Sequence, residues 1–152
     1  MRLSGRCKMT SKWHQLLQEH YRKLFTKSIE APKDCVVGIP VGSKYERFYR
    51  GFGKTHLILE LSNKYRLPII ATTRSQENYL KDEARNLGFN DVRVLMFNRN
   101  MRGILRPGRT VLVDGGMEML TCDKFAIDNN VWIVGFIWLL GAERPHIHKI
   151  ML

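Results

Sequence analysis

Apolar positions along the chain recur at two different spacings, and the change from one to the other outlines the architecture. Trp13, Leu16, Leu17, Tyr21, Leu24 and Phe25 return every three or four residues, which predicts an amphipathic helix over 12–27 capped by Thr10 or Ser11. Unbroken apolar runs then appear between helical stripes. The run over 35–41 predicts a short strand interrupted by Pro40, and Leu57, Ile58, Leu61 and Tyr65 predict a helix over 55–65. A buried strand is expected over 67–72. A helix over 73–87 follows, opened by a Thr73/Gln76 capping pair and closed by Gly88. Strands over 92–97 and 110–113, a short helix over 117–125 and a strong strand over 131–140 complete the pattern.

Strands separated by helices or by crossover-length connections call for a mainly parallel sheet covered on both faces. The expected molecule is one three-layer α/β domain over 11–152. It has a mainly parallel five-stranded sheet with helices on both faces, preceded by the N-terminal helix and a basic arm over 1–10. Neither an internal repeat nor a linker divides the chain. Its 152 residues, 44% hydrophobic and 26% charged, suit one folded domain with a real core.

Charge alters this picture. Lys and Arg number 25 against 14 acids, a formal net charge of +11, and the isoelectric point is near 9.9. Such an excess favours a polyanionic partner, with nucleic acid first among them. Cys7, Cys35 and Cys122 are odd in number and form no CxxC unit, so reduced thiols in a cytoplasmic protein are expected. The apolar run over 131–140 is about half a membrane span, so no membrane association is expected. His146 and His148 sit two apart without an evident third metal ligand, and Trp13, Trp132 and Trp138 fall in apolar segments that read as core.

The most informative stretch is Arg50-Gly51-Phe52-Gly53-Lys54-Thr55. Two glycines permit a tight turn whose backbone N–H groups point inward and cradle phosphate oxygens. A helix starting at Lys54 adds its positive dipole end, Lys54 reaches the outer phosphates, and the Thr55 hydroxyl can hold Mg²⁺. The usual spacing GxxxxGK[ST] would place a glycine at position 48, where Phe48 stands. Downstream, 110–113 is an apolar strand ending in Asp114, a carboxylate placed to bind Mg²⁺. A second glycine loop, Gly38 to Lys44, lacks a following helix.

Together Arg-Gly-Phe-Gly-Lys-Thr, the strand ending Ile69-Ile70-Ala71-Thr72-Thr73, Val92-Arg93-Val94, and Gly103 ahead of Val111-Leu112-Val113-Asp114 resemble a P-loop NTPase. The likeness is to the RecA-like ATPase lobe of phage terminase large subunits and related helicases, over roughly residues 35–140. The resemblance implies ATP and Mg²⁺ as ligands and DNA as partner. It carries Arg50, Gly51, Phe52, Gly53, Lys54 and Thr55 onto the phosphate loop and Asp114 onto the metal site. Two departures stand out. Hydrolytic members follow the metal-binding Asp at once with Glu, whereas Gly115, Gly116, Met117 and then Glu118 follow here, leaving Glu118 as the sole candidate for that catalytic role. No second ATPase lobe or nuclease domain is expected within these 152 residues, which points to a homo-oligomer or to a place within a larger DNA-processing complex.

Two functions follow as expectations. One is a phage or mobile-element DNA-processing accessory that binds ATP, Mg²⁺ and nucleic acid and hydrolyses slowly or only with a partner. The other is an inactive relative kept as a basic nucleic-acid- or protein-binding module. A small-molecule phosphotransferase is a third, lacking an identifiable acceptor-site carboxylate. For nucleic acid, the acid-free segment 92–113 supplies Arg99, Arg102, Arg106 and Arg109, with Arg74 expected on the same face.

Overall fold

The structure, a computed structural model, describes residues 12–39, 53–138 and 146–150. The side chains of Trp13, Ile39, Met119, Trp138 and residues 146–150 are outside that description. Also outside it lie the arm over 1–10 with Cys7, the strand positions Pro40, Val41, Leu139 and Leu140, the loop Gly38 to Lys44 beyond residue 39, and Arg50, Gly51 and Phe52.

The first amphipathic stretch forms helix α1 (Lys12–Glu30). Strand β1 (Cys35–Ile39), helix α2 (Lys54–Tyr65) and strand β2 (Ile69–Ala71) follow. Strand β2 is shorter than its apolar run for local reasons. Arg66 ends α2 in the left-handed conformation (φ 55°), and Leu67 N–H donates to the Ser62 carbonyl to close the helix. Pro68 has no N–H to give to a ladder. Next come α3 (Arg74–Asn86), β3 (Val94–Met96), β4 (Thr110–Glu118), α4 (Met119–Asn129), β5 (Trp132–Trp138) and β6 (His146–Ile150).

The strands form one sheet in the order β3-β2-β4-β5-β1-β6, with β1 to β5 mutually parallel and β6 antiparallel to β1. Five parallel strands agree with the sequence pattern, and β6 is an addition to it. Alternation along the strands divides the core in two. Val36, Ile69, Leu112, Val134 and Phe136 face α1, α2 and α3 through Tyr21, Phe25, Leu57, Leu61 and Leu80. Cys35, Val37, Ile70, Val111, Val113 and Ile133 face α4 through Cys122, Phe125 and Ala126. The result is three layers, with three helices on one face and one on the other among the described residues. The centre is close-packed: a Cβ on Gly135 (φ 144°) would overlap the Val113 backbone. Among the described residues no helix is long and apolar enough to cross a membrane.

The arginine-rich segment after β3 is tied down rather than loose. Met101 and Leu105 are buried in the α4-side core, and Met101 N–H donates to Asn129 Oδ1 at 2.7 Å. Asn98 and Asn100 each accept a bond from the backbone two residues on, fixing local turns. Apolar residues four apart anchor the segment; Arg99, Arg102 and Arg106 are exposed on it, and Arg109 is half-buried.

Candidate functional site

Helix α3 follows β2 onto one face of the sheet, while α4 follows the neighbouring β4 onto the other. Adjacent parallel strands whose connections leave in opposite directions open a crevice at their carboxyl ends, the usual ligand position in such sheets. The polar residues at the ends of β2 and β4 gather there.

The central contact joins residues 59 apart: Thr55 Oγ1 donates to Asp114 Oδ2 at 2.7 Å. Thr55 is the second residue of α2, and Asp114 lies where β4 leaves its regular ladder with β5, between Asp114 and Glu118. Gly115 and Gly116, both at positive φ (82° and 83°), make that departure. A Cβ at Gly116 would overlap the Thr72 hydroxyl, so the chain passes here only because a glycine stands there. Burial pushes the Asp114 carboxyl above its ordinary value, against the Thr55 hydrogen bond and the charge of Lys54.

Gly53 enters α2 in the left-handed conformation (φ 89°, ψ 36°), and no side chain caps the helix. The first amides of α2 thus lie beside the Lys54 charge and the Thr55 hydroxyl, with the positive end of the helix dipole. Gln18 of α1 donates to the Gly53 carbonyl at 3.2 Å and closes over this glycine, where a Cβ would overlap its amide.

Gln76 was visible in the sequence only as half of a capping pair. Thr73 Oγ1 does accept the Gln76 N–H at 3.0 Å, but the Gln76 side chain turns into the crevice. Its Nε2 donates to the Asp114 carbonyl at 2.9 Å, and its Oε1 accepts from Thr72 N–H at 2.9 Å. One amide therefore fastens the end of β2 to the end of β4 beside the carboxylate. A polar residue one turn into a helix carries no sequence signal for this, because the partner is set by sheet order.

Glu118 is exposed, occupies the residue before α4 in extended conformation and makes no cap bond. The expected arginines separate onto two rims. Arg74 opens α3 at the carboxyl rim, where it pairs with Glu77 at 2.7 Å. Arg102 Nε donates to the carbonyl of Asp128 near the end of α4, and Arg109 Nη2 donates to the Arg66 carbonyl after α2, both toward the amino rim. Arg99 and Arg106 are exposed on the same segment. Arg74 therefore does not share a face with the other four.

Among the described residues no three His, Cys, Asp or Glu side chains come together. One carboxylate and one hydroxyl make a poor independent metal site but fit Mg²⁺, which takes one or two protein oxygens and completes its shell with phosphate and water. No protein-family model, no curated protein and no solved structure matches the chain.

Proposed function

We propose that the chain binds ATP with Mg²⁺ at the carboxyl edge of its sheet, in the manner of a RecA-like P-loop domain, and binds nucleic acid through its basic surface. The supporting observation is the hydrogen bond of 2.7 Å between Thr55 and Asp114, which gathers a helix start and a strand end at one crevice. In this reading the α2 amides and Lys54 hold phosphate oxygens, and Arg50, Gly51, Phe52 and Gly53 complete the loop. Thr55 and Asp114 hold the Mg²⁺, which when bound neutralises phosphate charge. Gln76 keeps the Asp114 backbone in place.

Hydrolysis is slow or depends on a partner. Gly115 stands next to Asp114, and the Gln76 amide bonds Thr72 N–H and the Asp114 carbonyl, so neither of these neighbours offers a carboxylate to orient an attacking water. The biological setting we infer is DNA processing in a phage or mobile element, in the cytoplasm, as a homo-oligomer or within a larger complex, with DNA preferred to RNA. A second reading, an inactive relative serving as a basic binding module, is favoured by the same missing carboxylate.

Calorimetry of Mg·ATP binding to wild type and Lys54→Ala, with turnover measured with and without DNA, separates them. The first reading expects binding that Lys54→Ala weakens at least tenfold, since a hydrogen bond to a charged group contributes about 1.5–3 kcal/mol. Well-folded wild type that binds no nucleotide would leave only the second.

A further inference from the structure

The sheet face opposite α1, α2 and α3 carries a groove alongside α4, with a cavity of about 320 Å³. Leu120, Lys124 and Asp128, four residues apart, form one wall, and Phe97 and Arg99 form the other. Phe125 is buried beneath the half-buried Phe97, their ring centroids 5.3 Å apart at an interplanar angle of 37°. Leu120, the apolar member of the α4 wall, is 76% exposed. At the Asp128 end the bond of 2.7 Å from Arg102 Nε to the Asp128 carbonyl brings a third cation to the margin of the groove.

This combination selects its occupant. Three cations against the single carboxylate of Asp128 call for an anion, while the Phe97 ring and the Leu120 side chain call for a flat apolar face. A phosphate chain alone would waste the apolar surface, and a neutral ligand would waste the cations. In duplex nucleic acid the base faces are already stacked on one another, so they cannot lie against a side-chain ring. We propose that this groove receives an unstacked base of single-stranded nucleic acid, with the flanking phosphates on Arg99, Lys124 and Arg102. The inference rests on the nucleic-acid half of the function proposed above and names its strand form. The groove runs alongside α4 and shares no lining residue with the Thr55–Asp114 crevice, so nucleotide and single strand occupy separate places.

The test is fluorescence anisotropy with a fluorescein-labelled oligodeoxythymidylate and a mixed-sequence duplex of equal length, at low salt. Leu120→Ser removes the apolar side chain of the α4 wall without altering charge at an exposed position, so the fold is spared. Lys124→Gln removes one rim cation. The single strand binds more tightly than the duplex, and Leu120→Ser weakens the single strand about tenfold while leaving the duplex nearly unchanged. Equal affinity for the two forms, or single-strand binding indifferent to both substitutions, overturns the groove and leaves nucleic-acid binding standing. Binding of thymidine monophosphate without binding of the oligonucleotide overturns it in favour of a mononucleotide site. Binding of neither nucleic acid overturns the groove and the parent reading together.

Discussion

Asp114 is held in a conflict that a bound cation would relieve. Burial disfavours its charge, while Thr55 and Lys54 favour it, and burial is the larger influence. The folded carboxyl therefore keeps its proton to a higher pH than the same group in the unfolded chain. Its ionisation reduces stability progressively as pH rises from about the ordinary 3.8 through the raised folded value, and the loss persists at neutrality. Asp114→Asn, which keeps an oxygen for Thr55, is expected to raise the melting temperature of the ligand-free protein at pH 7 and to abolish stabilisation by Mg·ATP. Scanning fluorimetry with and without Mg·ATP reads both effects. Such opposition between stability and binding is characteristic of functional carboxylates. The thiols show the contrasting case. Burial lifts Cys35 to about 11 and Cys122 to about 12, and both stay protonated. Ellman's reagent should leave them unmodified in the native protein at pH 7 and reach them in denaturant. Gly135→Ala would force a Cβ into the Val113 backbone and is expected to cost on the order of 3 kcal/mol, read by urea unfolding.

Among the elements, α1 is fastened to α2 by the Tyr65 hydroxyl, which donates to Glu30 at 2.8 Å, and above all by Arg22. Arg22 Nε and Nη2 donate to the two Glu60 oxygens at 2.8 and 2.9 Å, and Nη1 donates to Glu19 at 2.8 Å. The Arg22 hydrogen bond holds the Glu60 carboxyl below its ordinary value. That contribution is fully present above the ordinary 4.5 and is lost as pH falls through the lower folded value. Arg22→Ala should cost about 1 kcal/mol at pH 7 and less in acid, because the pair is partly solvent-screened. Elements of this length were legible because their signals are local. The periodic stripes of α1, α2 and α3 and the Thr73 cap depend on residues within a turn of each other. What could not be read from the sequence depends on distant partners. Strand β6 exists through its register with β1, Cys35 opposite Ile150 and Ile39 opposite His146, and its five residues carry no long apolar run. Strand β4 runs past Asp114 because Glu118 rejoins β5 at Trp138 after two glycines that alone suggest only a turn. The Gln76 clamp needed both the order of β2 and β4 and a crevice between them.

At the scale of the molecule, charge and chemistry occupy different places. Composition alone gave the excess of positive charge, and the arginine-rich segment was evident from its lack of acids. Their division into a carboxyl-rim Arg74 and a segment packed beside α4 was not, since it follows from which way each connection crosses the sheet. Neutralising Arg99, Arg102 and Arg106 together should lower nucleic-acid affinity and flatten its salt dependence by up to about two in log–log slope, at roughly 0.7 per single-strand phosphate contact. Mg·ATP should leave that slope unchanged, because the two regions share no described side chain.

The order of the strands has one last consequence. At one margin of the described sheet stands β6, reversed relative to its neighbour, and at the other stands β3, only three residues long. A margin so short offers little template for strand-by-strand growth, and a reversed one would have to accept an incoming strand outside the parallel series. Copies of this chain that assemble are therefore expected to join through helical surfaces or loops. Concentrated protein should resist forming thioflavin-positive fibres for as long as it stays folded.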